Sequence, residues 1–335
     1  MPVLYKIHTL RCLALLSFSL VFNQACEHTN LNSTVDCTYN TSVNDDTTNT
    51  VTYKTVKGAL LGTRFSSLEE LKSVIQIEYH PGSDTATNKN AYVSVRHCSG
   101  GKAVTSILQT GVSQGDLHKA GYSDAIGDHI ALVLNSPYAV ANRKDMEKIF
   151  MLSRWKPDVF GDGDPAFFDL AKSSVGNINT PDIAFRNERD STEKGYFNSF
   201  NHITAQALIT SCFSEELADF IADVHERNNC PELITGKFTE AQIKNLEDGA
   251  LDNYVDLINN EWGQEIGKDL KEKYNINRET NWTPDLLADY MNDVQGYFSW
   301  AFQIGFKPFR PEDEVLIRFT RKLNVVMSEG FKFIK

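Results

Sequence analysis

The chain has 335 residues, 41% of them hydrophobic and 23% charged, a globular composition with enough apolar residues for a sizeable core. Its 33 basic residues against 44 acidic ones give a formal charge of −11, which argues against a nucleic-acid partner, because phosphate binding needs clustered Lys and Arg. The length corresponds to one large domain or two modest ones.

Residues 1–25 read as an export signal. Lys6 and Arg11 precede an apolar run from Cys12 to Phe22 that is too short to span a bilayer but suits a signal-peptide core. Ala25-Cys26 resembles a lipoprotein cleavage site, with Asn23 where Leu or Val is usual. A lipid on Cys26 would be the chain's one expected membrane contact. It would also leave Cys37, Cys98, Cys212 and Cys230, an even set for pairing in an oxidising compartment. Residues 26–55 are rich in Thr, Asn, Ser and Asp and read as a flexible tether. Asn32, Asn40 and Asn281 each open an N-glycosylation acceptor pattern, relevant only in a eukaryotic secretory host.

Residues 56–140 look like a small mixed α/β region. Ser66 to Glu70 holds two overlapping capping boxes, which predicts a helix over 67–75. Gln76–His80, Ala91–His97 and His129–Asn135 are candidate strands, separated by turns such as Ser99-Gly100-Gly101. From residue 141 to 335 the character is helical. Lys144–Arg154 has apolar residues at helix spacing, and Asp164-Pro165 reads as an N-cap followed by Pro at the first helical position. Three helices follow at about 194–212, 215–228 and 239–273, the last opening on the capping box Thr239 to Gln242. A further helix is predicted from Thr283-Pro284-Asp285 to about Gly305. The fold class expected is α+β, predominantly α. A continuous helix between Cys212 and Cys230 would hold those two far beyond disulfide reach.

The three central helices gather the candidate chemistry. His202 and Gln206 share a face of the first at i, i+4, and His225 lies on the apolar side of the second with Glu226 after it. Asp252, Asp256 and Asn260 form one stripe of the third, with Asn259 and Gly263 beside it. If these faces converge, two imidazoles meet carboxylates and carboxamides, a donor set suited to a divalent cation such as zinc or manganese. His202, His225, Asp256 and Asn260 are then the candidate metal residues, with His225 and Glu226 as candidate catalytic groups moving the water proton. A metal-free alternative makes His225 a general base held by an Asp. The structural alternative is a core histidine and a solvated or interhelical polar stripe.

Residues 198–267 resemble an uncharacterised bacterial helical domain of exported proteins and polymorphic-toxin ends. The resemblance rests on His202 with Ala205 to Thr210, on Asp223-Val224-His225-Glu226, and on Asp256 to Gly263. The family pattern places another His directly before the two Asn residues; Ile258 stands there in this chain. The resemblance implies a site at these residues and no particular reaction.

Two other constellations compete. Gly127 to Leu134 looks like the His-bearing strand of papain-like cell-wall amidases, which would pair His129 with Cys98 as nucleophile. Asp158, Asp162, Asp164 and Asp169 suggest a calcium loop, although their spacing does not match an EF-hand. The working expectation is an exported hydrolase, metal-assisted, with a phosphoester as the natural substrate. A non-catalytic tethered surface or binding protein is the rival reading, with Trp155, Trp262, Trp282 and Trp300 as aromatic contacts.

Overall fold

The computed structural model describes residues 39–41, 49–51, 56–83, 90–122, 126–227, 229–328 and 330–331. Residues 1–25 and Cys37 lie outside this set. Within the segment expected to be a tether, β1 (Tyr39–Thr41) and β2 (Asn49–Val51) pair antiparallel, Tyr39 opposite Val51. No helix among the described residues is long and apolar enough to cross a membrane.

The fold is α+β and mostly helical. After the short helix α1 (Leu68–Lys72) come three antiparallel strands, β3 (Ile75–His80), β4 (Tyr92–Ser99) and β5 (Lys102–Gln109), in that order across the sheet. Ser67 caps α1 by accepting the Glu70 amide, and Ile75 starts the strand at once, so the helix is shorter than its capping box suggested. Gly100 and Gly101, both at positive φ, make the two-residue hairpin between β4 and β5. Val93, Val95 and His97 on β4, with Val104 and Leu108 on β5, form the buried face.

The remaining helices are α2 (Gln114–Tyr122), α3 (Ile126–Asn135), α4 (Pro137–Ala141), α5 (Arg143–Ser153), α6 (Pro157–Phe160), α7 (Phe167–Gly176), α8 (Pro181–Ala184), α9 (Tyr196–Cys212), α10 (Glu215–Glu226), α11 (Glu232–Thr235), α12 (Glu240–Lys244), α13 (Ala250–Lys273), α14 (Pro284–Phe302) and α15 (Glu314–Met327). Helix α13 is the spine. Its first half packs on the sheet through Leu251, Val255, Ile258 and Trp262, and its second half enters the helical core through Ile266 and Leu270. In that core Phe200 stacks on Phe298 with ring centroids 3.9 Å apart.

Three local expectations are corrected. His129–Asn135 is not a strand but belongs to helix α3; a short apolar run fits either state, and periodicity alone does not separate them. The helix expected over 239–273 is two helices. The Thr239 capping box does open α12, but Asn245 ends it with an extended backbone and α13 starts afresh after Gly249. Asp164 does not cap a helix. Its Oδ2 accepts the Lys156 amide at 2.6 Å and the Lys322 ammonium at 2.8 Å, while Ala166 precedes α7 and gives its amide to Asp169. Lys322 is fully enclosed there and also donates to the carbonyls of Arg154 and Pro165, both at 2.8 Å.

Candidate metal centre

The site is built on the seam between α9 and α13, which run parallel. Lys194 meets Asp252 at 3.0 Å, Asn198 meets Asp256 at 2.7 Å and His202 meets Asn260 at 2.9 Å, each pair separated by 58 residues. These rungs recur every fourth residue, the spacing that keeps side chains on one helix face. Gln206 and Gln264 occupy the next rung, and both are buried.

Glycine makes the seam narrow. A Cβ on Gly263 would lie 2.8 Å from the Ile203 carbonyl oxygen, and one on Gly267 would lie 2.6 Å from that of Ala207. Only hydrogen at these two positions lets α13 lie against the α9 backbone. On the other flank, Asn259 holds the amide of Leu60 at 2.8 Å and its carbonyl at 2.9 Å, and the Ser199 hydroxyl donates to the same carbonyl. The two neighbouring asparagines therefore do different work: Asn259 pins an incoming segment, whereas Asn260 faces the site.

Helix α10 brings Glu226 against the seam. His202, Glu226 and Asp256 each offer a ligand atom within 4.8 Å of the other two, a grouping that fits a divalent cation. The surrounding carboxamides decide which atoms are left over. Asn260 Oδ1 accepts from His202 Nδ1, so the proton of a neutral ring sits on Nδ1 and the lone pair on Nε2. That Nε2 faces Asp256 Oδ2 at 3.4 Å. The other Asp256 oxygen accepts from Asn198, and Glu226 Oε1 faces the Asn260 amide nitrogen at 3.5 Å. Glu226 Oε2 is buried without a hydrogen-bond partner. Lone pairs thus converge with nothing protein-borne between them, an arrangement that needs protons or a cation. A tetrahedral cation with bonds of ~2.1 Å holds its ligands ~3.4 Å apart, a separation the His202–Asp256 pair already has.

The electrostatics agree. Burial, reinforced by the neighbouring Asp256 and Asp252 carboxylates, pushes Glu226 well above the usual carboxylate range. Burial raises Asp256 to about 7 against the Asn198 hydrogen bond and the Lys194 charge, and burial with the Asp256 charge raises Asp252 to about 7. Burial lowers His202 despite its bond to Asn260. Lys194 shows the reverse balance: although burial opposes it, Asp248 and Asp252 hold its ammonium above the usual lysine range.

His225 lies outside the three-residue grouping. It is exposed, its ring centroid stands 6.3 Å from that of His202, and its Nδ1 is 3.2 Å from Gln114 Oε1. Desolvation, then the charges of His202 and Arg154, bring it down to about 4. Of the residues singled out by spacing, His202, Glu226, Asp256 and Asn260 come together at the centre, with Asp252 one turn along the seam. Lys194 and Asn198 were missed. The signal was present, since Lys194, Asn198, His202 and Gln206 repeat at i, i+4 in step with Asp252, Asp256, Asn260 and Gln264.

The rival constellations find less. The strand on which the pairing of His129 with Cys98 depended is a helix, and Cys212 and Cys230 are free thiols. Asp164 and Asp169 are engaged as described above, with Lys322 in place of a cation beside Asp164. Comparison with protein-family models, with curated proteins and with solved structures gives no match.

Proposed function

We propose that the chain is an exported hydrolase in which His202, Glu226 and Asp256 hold one divalent cation, zinc or manganese. The observation that carries the reading is the convergence within 4.8 Å of three ligand atoms, from a half-buried imidazole and two buried carboxylates, one of the carboxylates having an oxygen that no hydrogen bond satisfies. Buried like charges of this kind persist only when protonated or neutralised by a cation. A cation bound there would supply a water of lowered pKa and polarise the bond under attack.

The chain's own groups divide the remaining work. Asn260 fixes the His202 tautomer so that Nε2 faces the cation. His225, neutral at physiological pH, oriented by Gln114 and with its ring 6.3 Å from that of His202, takes the role of accepting and returning a proton. The substrate class we favour is a phosphoester, supported by the imidazole–carboxylate donor set and by Arg154 within electrostatic reach of His225. The resemblance of residues 198–267 to the exported helical domain supports the location of the site and the export. The signal-like first 25 residues support export too.

The test is metal content and phosphodiesterase activity of the purified chain, compared with two variants. Wild type is expected to retain one zinc or manganese through dialysis. Glu226→Gln should lose it. His225→Ala should keep the metal and the helical content, yet lose ~10²–10⁴-fold in turnover. A wild-type chain that binds neither ion refutes the reading and leaves the tethered binding protein as the better one.

A further inference from the structure

A cavity of about 380 Å³ opens where residues 56–65 meet α8, the start of α9 and the end of α14. It lies on a different face of α9 from the seam, since Tyr196 lines it while Asn198 and His202 face α13. Its walls are largely apolar, with Leu61, Phe65, Val74 and Phe302 among them, and Arg64 and Arg186 also line it.

The two arginines are not equivalent. Arg64 is built into the wall: its Nη2 donates to the Ala184 carbonyl at 2.6 Å and pairs with Asp190 at 3.1 Å. Asp190 is fully buried and also accepts from the Thr63 hydroxyl and the amides of Arg186 and Asn187, so this charge is balanced. Arg186 is exposed, gives only its Nε to the Ile183 carbonyl at 3.2 Å, and has no carboxylate partner among the described residues. The one carboxylate on the wall, Glu70, is turned away to the amide and hydroxyl of Ser66 at 2.8 and 2.7 Å. The chamber is therefore largely apolar and carries one guanidinium that no carboxylate pairs with among the described residues.

That combination selects an amphipathic anion. A neutral apolar molecule would gain nothing from the Arg186 charge, and a small inorganic anion would leave the walls wet. A carboxylate fits the planar fork of a guanidinium in bidentate fashion. At ~30 Å³ per heavy atom, the volume of a liquid water, the cavity holds roughly a dozen such atoms. We propose that it is a binding site for a medium-chain carboxylate, with its head on Arg186 and its chain between Leu61, Phe65, Val74 and Phe302.

The test is calorimetric titration of the full chain with octanoate and, separately, with octanol. Wild type should bind octanoate at least ~tenfold more tightly than octanol, the scale of one charge-assisted pair. Arg186→Gln should remove that preference, and because the residue is exposed its melting temperature should stay at the wild-type value. Hydrogen-exchange protection on adding octanoate should appear at residues 59–74 and 301–302. Equal affinities for acid and alcohol in wild type, an unchanged preference in Arg186→Gln, protection elsewhere, or no binding at about 1 mM would each overturn the assignment.

Discussion

The narrow seam makes a quantitative prediction about two glycines in the same kind of position. Gly263 lies in the interior of α13 and Gly296 in the interior of α14. Replacing either by Ala removes the helix-propensity penalty of glycine, which stabilises by ~1 kcal/mol. At Gly296 nothing lies within 4 Å of the new methyl group, so Gly296→Ala should be more stable than wild type by about 0.5–1 kcal/mol. At Gly263 the methyl meets the Ile203 carbonyl oxygen at 2.8 Å and the Ile203 Cα at 3.0 Å, both backbone atoms of a packed helix. Overpacking of this kind costs ~1–3 kcal/mol, and more where backbone must move. Gly263→Ala should therefore be net destabilised by ~1–2 kcal/mol, because the clash outweighs the propensity gain. The displacement also separates His202 from Asn260, so affinity for zinc should fall by ~10–100-fold. Urea unfolding of both variants and metal titration of the folded Gly263→Ala protein give the two readings. If Gly263→Ala gains stability as Gly296→Ala does, close approach is not what this glycine provides.

Three further outcomes follow from the same geometry. Asp252 and Asp256 hold protons more tightly in the folded chain, at about 7, than in the unfolded one, where they titrate near ~4. Their contribution is complete below the unfolded value and is lost as pH rises through about 7, so the chelated protein should lose a few kcal/mol between those limits. Metal affinity should move the opposite way and rise with pH, because the ligands bind deprotonated; urea melts at pH 5 and 7.5, with and without zinc, check both. Asn259→Ala strands the buried amide of Leu60, whose carbonyl keeps the Ser199 hydroxyl, and should cost ~1–3 kcal/mol in chemical denaturation while leaving the charge at the metal centre unchanged. Lys322→Met removes the counter-ion of a buried Asp164 and should cost ~3–5 kcal/mol; a thermal melt at the wild-type value would refute that.

Much of the candidate site was legible because helical spacing is a local property. His202 with Gln206, and Asp252 with Asp256 and Asn260, declare their shared faces in the sequence alone. The strands at Gln76–His80 and Ala91–His97 were visible through alternation, and β3 and β4 contain nearly all of those residues. What failed was either ambiguous or non-local. The apolar run at His129–Asn135 suits a strand as well as a helix. The break at Asn245 was hidden because the capping box of α12 and the periodic stripe of α13 both read as helix. The separate duties of Asn259 and Asn260 depend on Leu60, about 200 residues away in sequence, and no local pattern carries that. Lys194 escaped because a lysine is not a residue type that signals a cation site, although it continues the four-residue repeat backward.

The constant interval between rungs has a consequence for how the site tolerates change in chain length. Nothing in the intervening chain sets the value of 58, since the register is held by contacts between the two helices. Insertions or deletions around Lys237 and Phe238, between α11 and α12, would alter that interval and leave every rung in place. A single residue inserted between Asn198 and His202 would instead rotate half of α9 by ~100° and misalign the partners beyond it. Chains that share this centre need not share its spacing in sequence. They would be recognised by two four-residue repeats that match rung for rung, with the small residues that let the two helices touch.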